Sequence, residues 1–105
     1  MNADADIQVW LETFVKAQTS IVIPHVESNV YQHLRYKITT TQEGQTGRSS
    51  IGQSGSVDLT PNVAEALSRL AIRRSAGDRC HIELILFTEG ESGQRYDFMC
   101  PDHPK

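Results

Sequence analysis

The segment Val30-Tyr-Gln-His-Leu-Arg-Tyr-Lys-Ile-Thr-Thr-Thr41 constrains the fold more than any other stretch of the chain. At a period of two, Leu34, Tyr36 and Ile38 fall on one side and His33, Arg35 and Lys37 on the other. A strand with that pattern rests one face on a core and turns the other to water. The wet face is cationic, with no carboxylate before Glu43, in a chain whose formal net charge is −3. A positive stripe on an acidic protein points to an anionic partner. The plainer explanation, that charge on a strand keeps it soluble and guards an edge, stands beside it.

The same reading divides most of the chain into short strands. Ile7 to Val15 is the first, with Ile7, Val9, Leu11 and Val15 on one side and Trp10 and Phe14 on the other. Ser20 to Val26 is the second; its Pro24 removes a ladder donor and implies an edge, a bulge or a strand end. After the Val30 to Thr41 strand, residues 44–50 read as a loop, and Ile51 to Leu59 as a polar, glycine-broken strand suited to an edge. Ala66 to Arg74 follows, then a turn at 75–78, the most apolar strand from Arg79 to Thr88, a turn at 89–93, and Gln94 to Cys100. About seven short strands at this spacing predict an all-β, antiparallel two-sheet sandwich.

One segment fits two descriptions. Thr60-Pro-Asn-Val-Ala-Glu-Ala-Leu-Ser-Arg-Leu-Ala71 has an N-cap residue, proline at the first helical position, and Val63, Leu67, Leu70 and Ala71 on one helical stripe. It also reads as a strand from about Leu67, preceded by a helical turn at 61–65.

The two cysteines carry a geometric expectation. If the last two strands turn around Gly90, Leu84 faces Tyr96, Ile82 faces Phe98 and Cys80 faces Cys100. Opposed residues have Cβ atoms about 4.5–5.5 Å apart, close to the span of a disulfide. A disulfide would favour an oxidising compartment; two buried thiols are the alternative.

A chain of 105 residues, 38% hydrophobic and 22% charged, is expected to form one domain over 1–105, with 1–6 and 101–105 as tails. No apolar run approaches the roughly 18 residues of a membrane span, so no membrane insertion is expected. Residues 1–6 show neither the basic start nor the apolar centre of a secretory leader.

Signals for catalysis and metal binding are thin. There is no Cys-x-x-Cys, phosphate loop or His-Glu-x-x-His, and Gly52-Gln-Ser-Gly55 precedes a strand rather than a helix, so it is no serine elbow. His25, His33, His81 and His103 are scattered, although His33 and His81 could approach across neighbouring strands. Aromatic content of 7%, placed mostly inward by parity, speaks against a single-strand nucleic-acid platform. The expectation is no catalytic residue, no metal, no cofactor and no nucleic acid.

Val22-Ile-Pro-His-Val26, the Val30 to Thr41 strand and Gln42-Glu-Gly-Gln45 together resemble the front half of the curli-assembly inhibitor family (CsgC/CsgH-like). Val57-Asp-Leu59, Leu67-Ser-Arg-Leu-Ala-Ile72 and Gly77-Asp-Arg-Cys-His-Ile-Glu-Leu84 resemble its back half, in order, so the likeness runs from about Ile7 to Phe98. The pattern is most similar to the alphaproteobacterial CsgH branch. It implies an immunoglobulin-like sandwich in the periplasm, monomeric and without catalysis. It also implies that the protein keeps the major curli subunit, a disordered acidic chain, from premature amyloid nucleation. Gln32-His33-Leu34 stands where one branch has Cys-x-Cys, so no redox role carries over. Arg35, Arg69 and Arg79 match positions basic in the family. With the strand order the resemblance implies, parity adds His33, Lys37, His81 and Arg95 to a basic face, diluted by Glu83 and Asp97. An immunoglobulin-like structural or adhesion module without chaperone activity is the alternative.

Overall fold

The computed structural model describes residues 7–45, 47–73, 77–88 and 93–101. Its strands are β1 (Ile7–Lys16), β2 (Thr19–Ser28), β3 (Gln32–Gly44), β4 (Gly47–Leu59), β5 (Glu65–Ala66), β6 (Leu70–Ile72), β7 (Arg79–Thr88) and β8 (Gln94–Met99). They form two antiparallel four-stranded sheets. One runs β1-β2-β5 with β6 also paired to β2, and the other runs β4-β3-β7-β8. The placing of β3 against β7 and β7 against β8 is the immunoglobulin-like arrangement.

Between the sheets lies a core built from alternate residues of each strand. Val22 and Val26 come from β2, Leu34 and Ile38 from β3, and Ile82, Leu84 and Leu86 from β7; Leu59, Leu67, Leu70 and Ile72 close it. The cysteines lie at one end. Ile82 pairs with Phe98 and Leu84 with Tyr96, and the same register carries Cys80 to Cys100, where a disulfide joins them.

Four local expectations are corrected. Pro24 is not at an edge, because β2 is flanked by β1 on one side and by β5 and β6 on the other. The Pro24 carbonyl accepts from the Leu67 amide at 2.8 Å. A strand residue aims its N and C=O at the same neighbour, so the missing donor falls where β5 ends and β6 has not begun. The helical alternative for 60–71 fails for a similar local reason. Asn62 has φ of 64°, and the Val63 amide donates to the Thr60 carbonyl at 3.1 Å. Proline followed by a left-handed asparagine is a type II turn, and no helix occurs among the described residues. Third, the loop expected at 44–50 is shorter, since β4 already begins at Gly47. Last, the single strand expected from Ala66 to Arg74 is broken, since β5 ends at Ala66 and β6 spans Leu70–Ile72. On β1, Val15 keeps the side of Ile7, Val9 and Leu11 and stands opposite Ser20, but those three pack against the core while Val15 is 59% exposed. The turns at 75–78 and 89–93 lie largely outside the described residues, as do the 1–6 and most of the 101–105 tail.

Candidate functional site

The outer face of the β4-β3-β7-β8 sheet carries the cationic stripe of β3. Along β3, Leu34 and Ile38 are fully buried, so His33, Arg35 and Lys37 must point away from the core, and all three are exposed. Register places their neighbours. Arg35 lies between Ser56 of β4 and Phe87 of β7; Lys37 lies between Ser54 and Ile85; Ile85 in turn faces Arg95 of β8.

Two aliphatic stems and two apolar side chains therefore share one patch. The Arg35 guanidinium sits 5.6 Å from the centre of the Phe87 ring, a cation–π contact that holds the charge over an aromatic surface. Phe87 and Ile85 also lie across Gly93. A Cβ there would come within 2.7 Å of the Phe87 ring and 2.5 Å of Ile85 Cγ2, so only glycine leaves them room.

The wider basic face is largely neutralised. His33 Nδ1 is 2.6 Å from Asp58 Oδ1, its cross-strand opposite. His81 Nε2 is 3.0 Å from Asp97 Oδ1. Arg95 Nε reaches Glu83 at 2.8 Å and Asp97 at 3.1 Å. Arg79 stands opposite Glu43, six residues along β3 from Lys37 and hence about 20 Å away. Among the described residues no carboxylate pairs with Arg35 or Lys37, and these two concentrate the stripe's positive potential.

Arg69 does not belong to this face. Its guanidinium lies 5.7 Å from the centre of the Phe14 ring, on β1 of the other sheet. Phe14 alternates with the core-facing residues of β1, so the pair sits on the opposite side of the sandwich. Position in sequence could not reveal this, because β5 and β6 belong to the first sheet.

His33 and His81 do not meet either. In the β3–β7 register His81 faces Thr41, eight residues along β3 from His33, or about 27 Å. Among the described residues no three His, Cys, Asp or Glu side chains are placed to hold a metal ion. His103 lies outside the described residues. The expectation that aromatics point inward is also overturned. Trp10, Phe14 and Tyr31 are exposed, and Phe87 lies on the outer face. Trp10 stacks on His25, with ring centres 5.5 Å apart, and His25 Nε2 is 2.9 Å from Glu12 Oε1.

The family model for the thin aggregative fimbriae synthesis protein (Tafi-CsgC) matches residues 1–95. The chain belongs to this family. It is therefore a protein related to curli assembly, and its family is not a known enzyme family. The fold agrees with two solved structures. The E. coli curli protein CsgC superimposes with a TM-score of 0.76 at 22% identity, over 89% of this chain and 98% of that one. The solution structure of R. palustris CsgH gives 0.69 at 16% identity, over 90% and 92%. No curated protein matches the chain by sequence. At these identities the structural likeness speaks for the fold, and residue roles rest on the geometry above.

Proposed function

We propose that this protein is a periplasmic, monomeric chaperone that keeps the major curli subunit from nucleating amyloid before secretion, without catalysis. Arg35 and Lys37 are its capture site. The observation that carries this reading is the pair of exposed cations lacking a carboxylate partner among the described residues, set over the apolar Phe87 and Ile85. A disordered acidic client would be held by such a patch weakly and transiently, and its attraction would be screened beyond about 8–10 Å at physiological salt. Transient binding suffices, because nucleation requires several extended segments to pair at once. His81 and Arg95, bound to acidic neighbours, contribute less, and Arg69 and Arg79 lie away from the patch.

The test is the lag time of curli-subunit fibrillation against inhibitor concentration, at low and high salt. Charge reversal by Arg35→Glu and Lys37→Glu is expected to remove most of the inhibition. Loss of the Phe87 contact should cost about 0.5–1 kcal/mol of stability, too little to unfold the scaffold. A reversed variant that delays fibrillation as well as the parent, with no salt effect on either, rejects the reading.

A further inference from the structure

The strand beside this patch has an open edge, and its backbone direction follows from one hydrogen bond. The Cys100 amide donates to the Cys80 carbonyl at 3.3 Å. Successive residues of an antiparallel strand aim their N–H and C=O groups at opposite neighbours. Even-numbered residues of β7 therefore face β8, and odd-numbered ones face β3. Carried through the registers His81↔Thr41 and Tyr36↔Gly55, the even-numbered residues of β4 face no strand among the described residues. Their peptide groups line the free edge at Ser50, Gly52, Ser54 and Ser56, where β4 pairs with β3 alone.

That edge lacks the usual protection. Natural sheets blunt exposed edges with lysine, proline, bulges or short strands. β4 has 13 residues in unbroken register, no proline, and no charge from Ser49 to Val57. The opposite edge, β8, has 6 residues, and the outer strand β1 carries Glu12 and Lys16. The side chains of Ser54 and Ser56 share the outer face with Lys37 and Arg35, directly across the ladder. A strand added to β4 would lie two strand spacings, about 9.6 Å, from β3. Only small serines would intervene, so a long cationic side chain can reach over them.

We infer that the free edge of β4 between Ser50 and Ser56 is a docking strand for an extended segment of an amyloid-forming client with acidic side chains at alternate positions. Backbone pairing supplies the hold, and Arg35 and Lys37 select the charge. A segment docked there takes on the twist of the sandwich, which opposes the flat, in-register stacking of a fibril. The inference rests on the capture site proposed above and assigns what that site presents its client to.

Ser54→Pro separates the two. The Ser54 amide faces the free edge, so proline removes an edge donor and no ladder bond to β3. The Arg35 and Lys37 charges are untouched. The expected result is a rise of about tenfold or more in the concentration of Ser54→Pro needed to double the fibrillation lag. Inhibition by Ser54→Pro equal to the parent, with Arg35→Glu/Lys37→Glu inactive, overturns edge docking and leaves the capture site standing. Full activity of both variants overturns both.

Hydrogen exchange on the unaltered protein decides the matter even where the proline variant misfolds. A 12-residue peptide alternating aspartate with valine is expected to slow exchange at the Gly52, Ser54 and Ser56 amides. The same peptide with lysine for aspartate is not. Unchanged exchange at these amides with the acidic peptide overturns the inference.

Discussion

Tyr36 shows how much can hang on one side chain. Its parity points it inward, and its hydroxyl donates to the Leu67 carbonyl at 2.7 Å, tying β3 of one sheet to the segment between β5 and β6 of the other. To get there the ring crosses Gly55, its partner on β4. A Cβ at Gly55 would stand 2.7 Å from the Tyr36 oxygen and 2.9 Å from Cζ. Tyr36→Phe leaves a part-buried carbonyl without its donor and is expected to lower stability by about 1–2 kcal/mol in urea unfolding. Gly55→Ala should cost at least as much, since the ring itself must move. Equal stability of parent and Gly55→Ala would show that β4 yields instead of the tyrosine. The alternation made Tyr36 legible as inward, but its partner was not, because Leu67 lies 31 residues away.

Elements in this protein are joined by connections of unequal quality. The β1–β2 hairpin turns through Ala17 and Gln18, with φ of 49° and 66°. Two left-handed central residues make a type I′ geometry, which asparagine followed by glycine adopts with far less strain. Ala17→Asn with Gln18→Gly is therefore expected to raise stability by about 0.5–1 kcal/mol, read as a shift in the denaturation midpoint. The β7–β8 pair is closed instead by the Cys80–Cys100 disulfide, which spans a sequence separation of 20. Its loop predicts a loss of about 3 kcal/mol when both cysteines become alanine, from the entropy returned to the unfolded chain. Thiol titration of the denatured, unreduced protein should find no free cysteine. The pairing was legible only on the condition of a hairpin centred on residue 90, because a register shift of two residues would part the cysteines.

At the scale of the molecule, the proposed function assigns the inner and outer faces of one sandwich different tasks. The inner faces share a core in which Leu34, Ile38, Ile82 and Leu84 are fully buried. Leu84→Ala is expected to cost about 2–5 kcal/mol and to reduce inhibition only in proportion to the protein unfolded. Charge reversal at Arg35 and Lys37 should do the reverse, removing inhibition from a folded protein. Circular dichroism beside the fibrillation assay distinguishes these outcomes, and raised salt should weaken the parent without altering its spectrum.

The class of fold, the core faces of β2, β3 and β7 and the edge character of β4 could be read from the chain alone, and the disulfide only on the condition of one hairpin register. Each follows from a period of two and local turn chemistry, both written in neighbouring residues. The sequence also named the cations of β3, since Leu34 and Ile38 leave them only one direction. Which of these cations meet a carboxylate, and on which sheet each one lies, depended on the tertiary structure. Asp58, Asp97 and Glu83 neutralise His33, His81 and Arg95 across strands, and Arg69 is carried to the opposite sheet. The interrupted partner of Pro24 and the type II turn at Pro61 likewise depended on which strand lies beside which. Pairing between strands far apart in sequence sets the electrostatic neighbours of a side chain, and no local pattern encodes it.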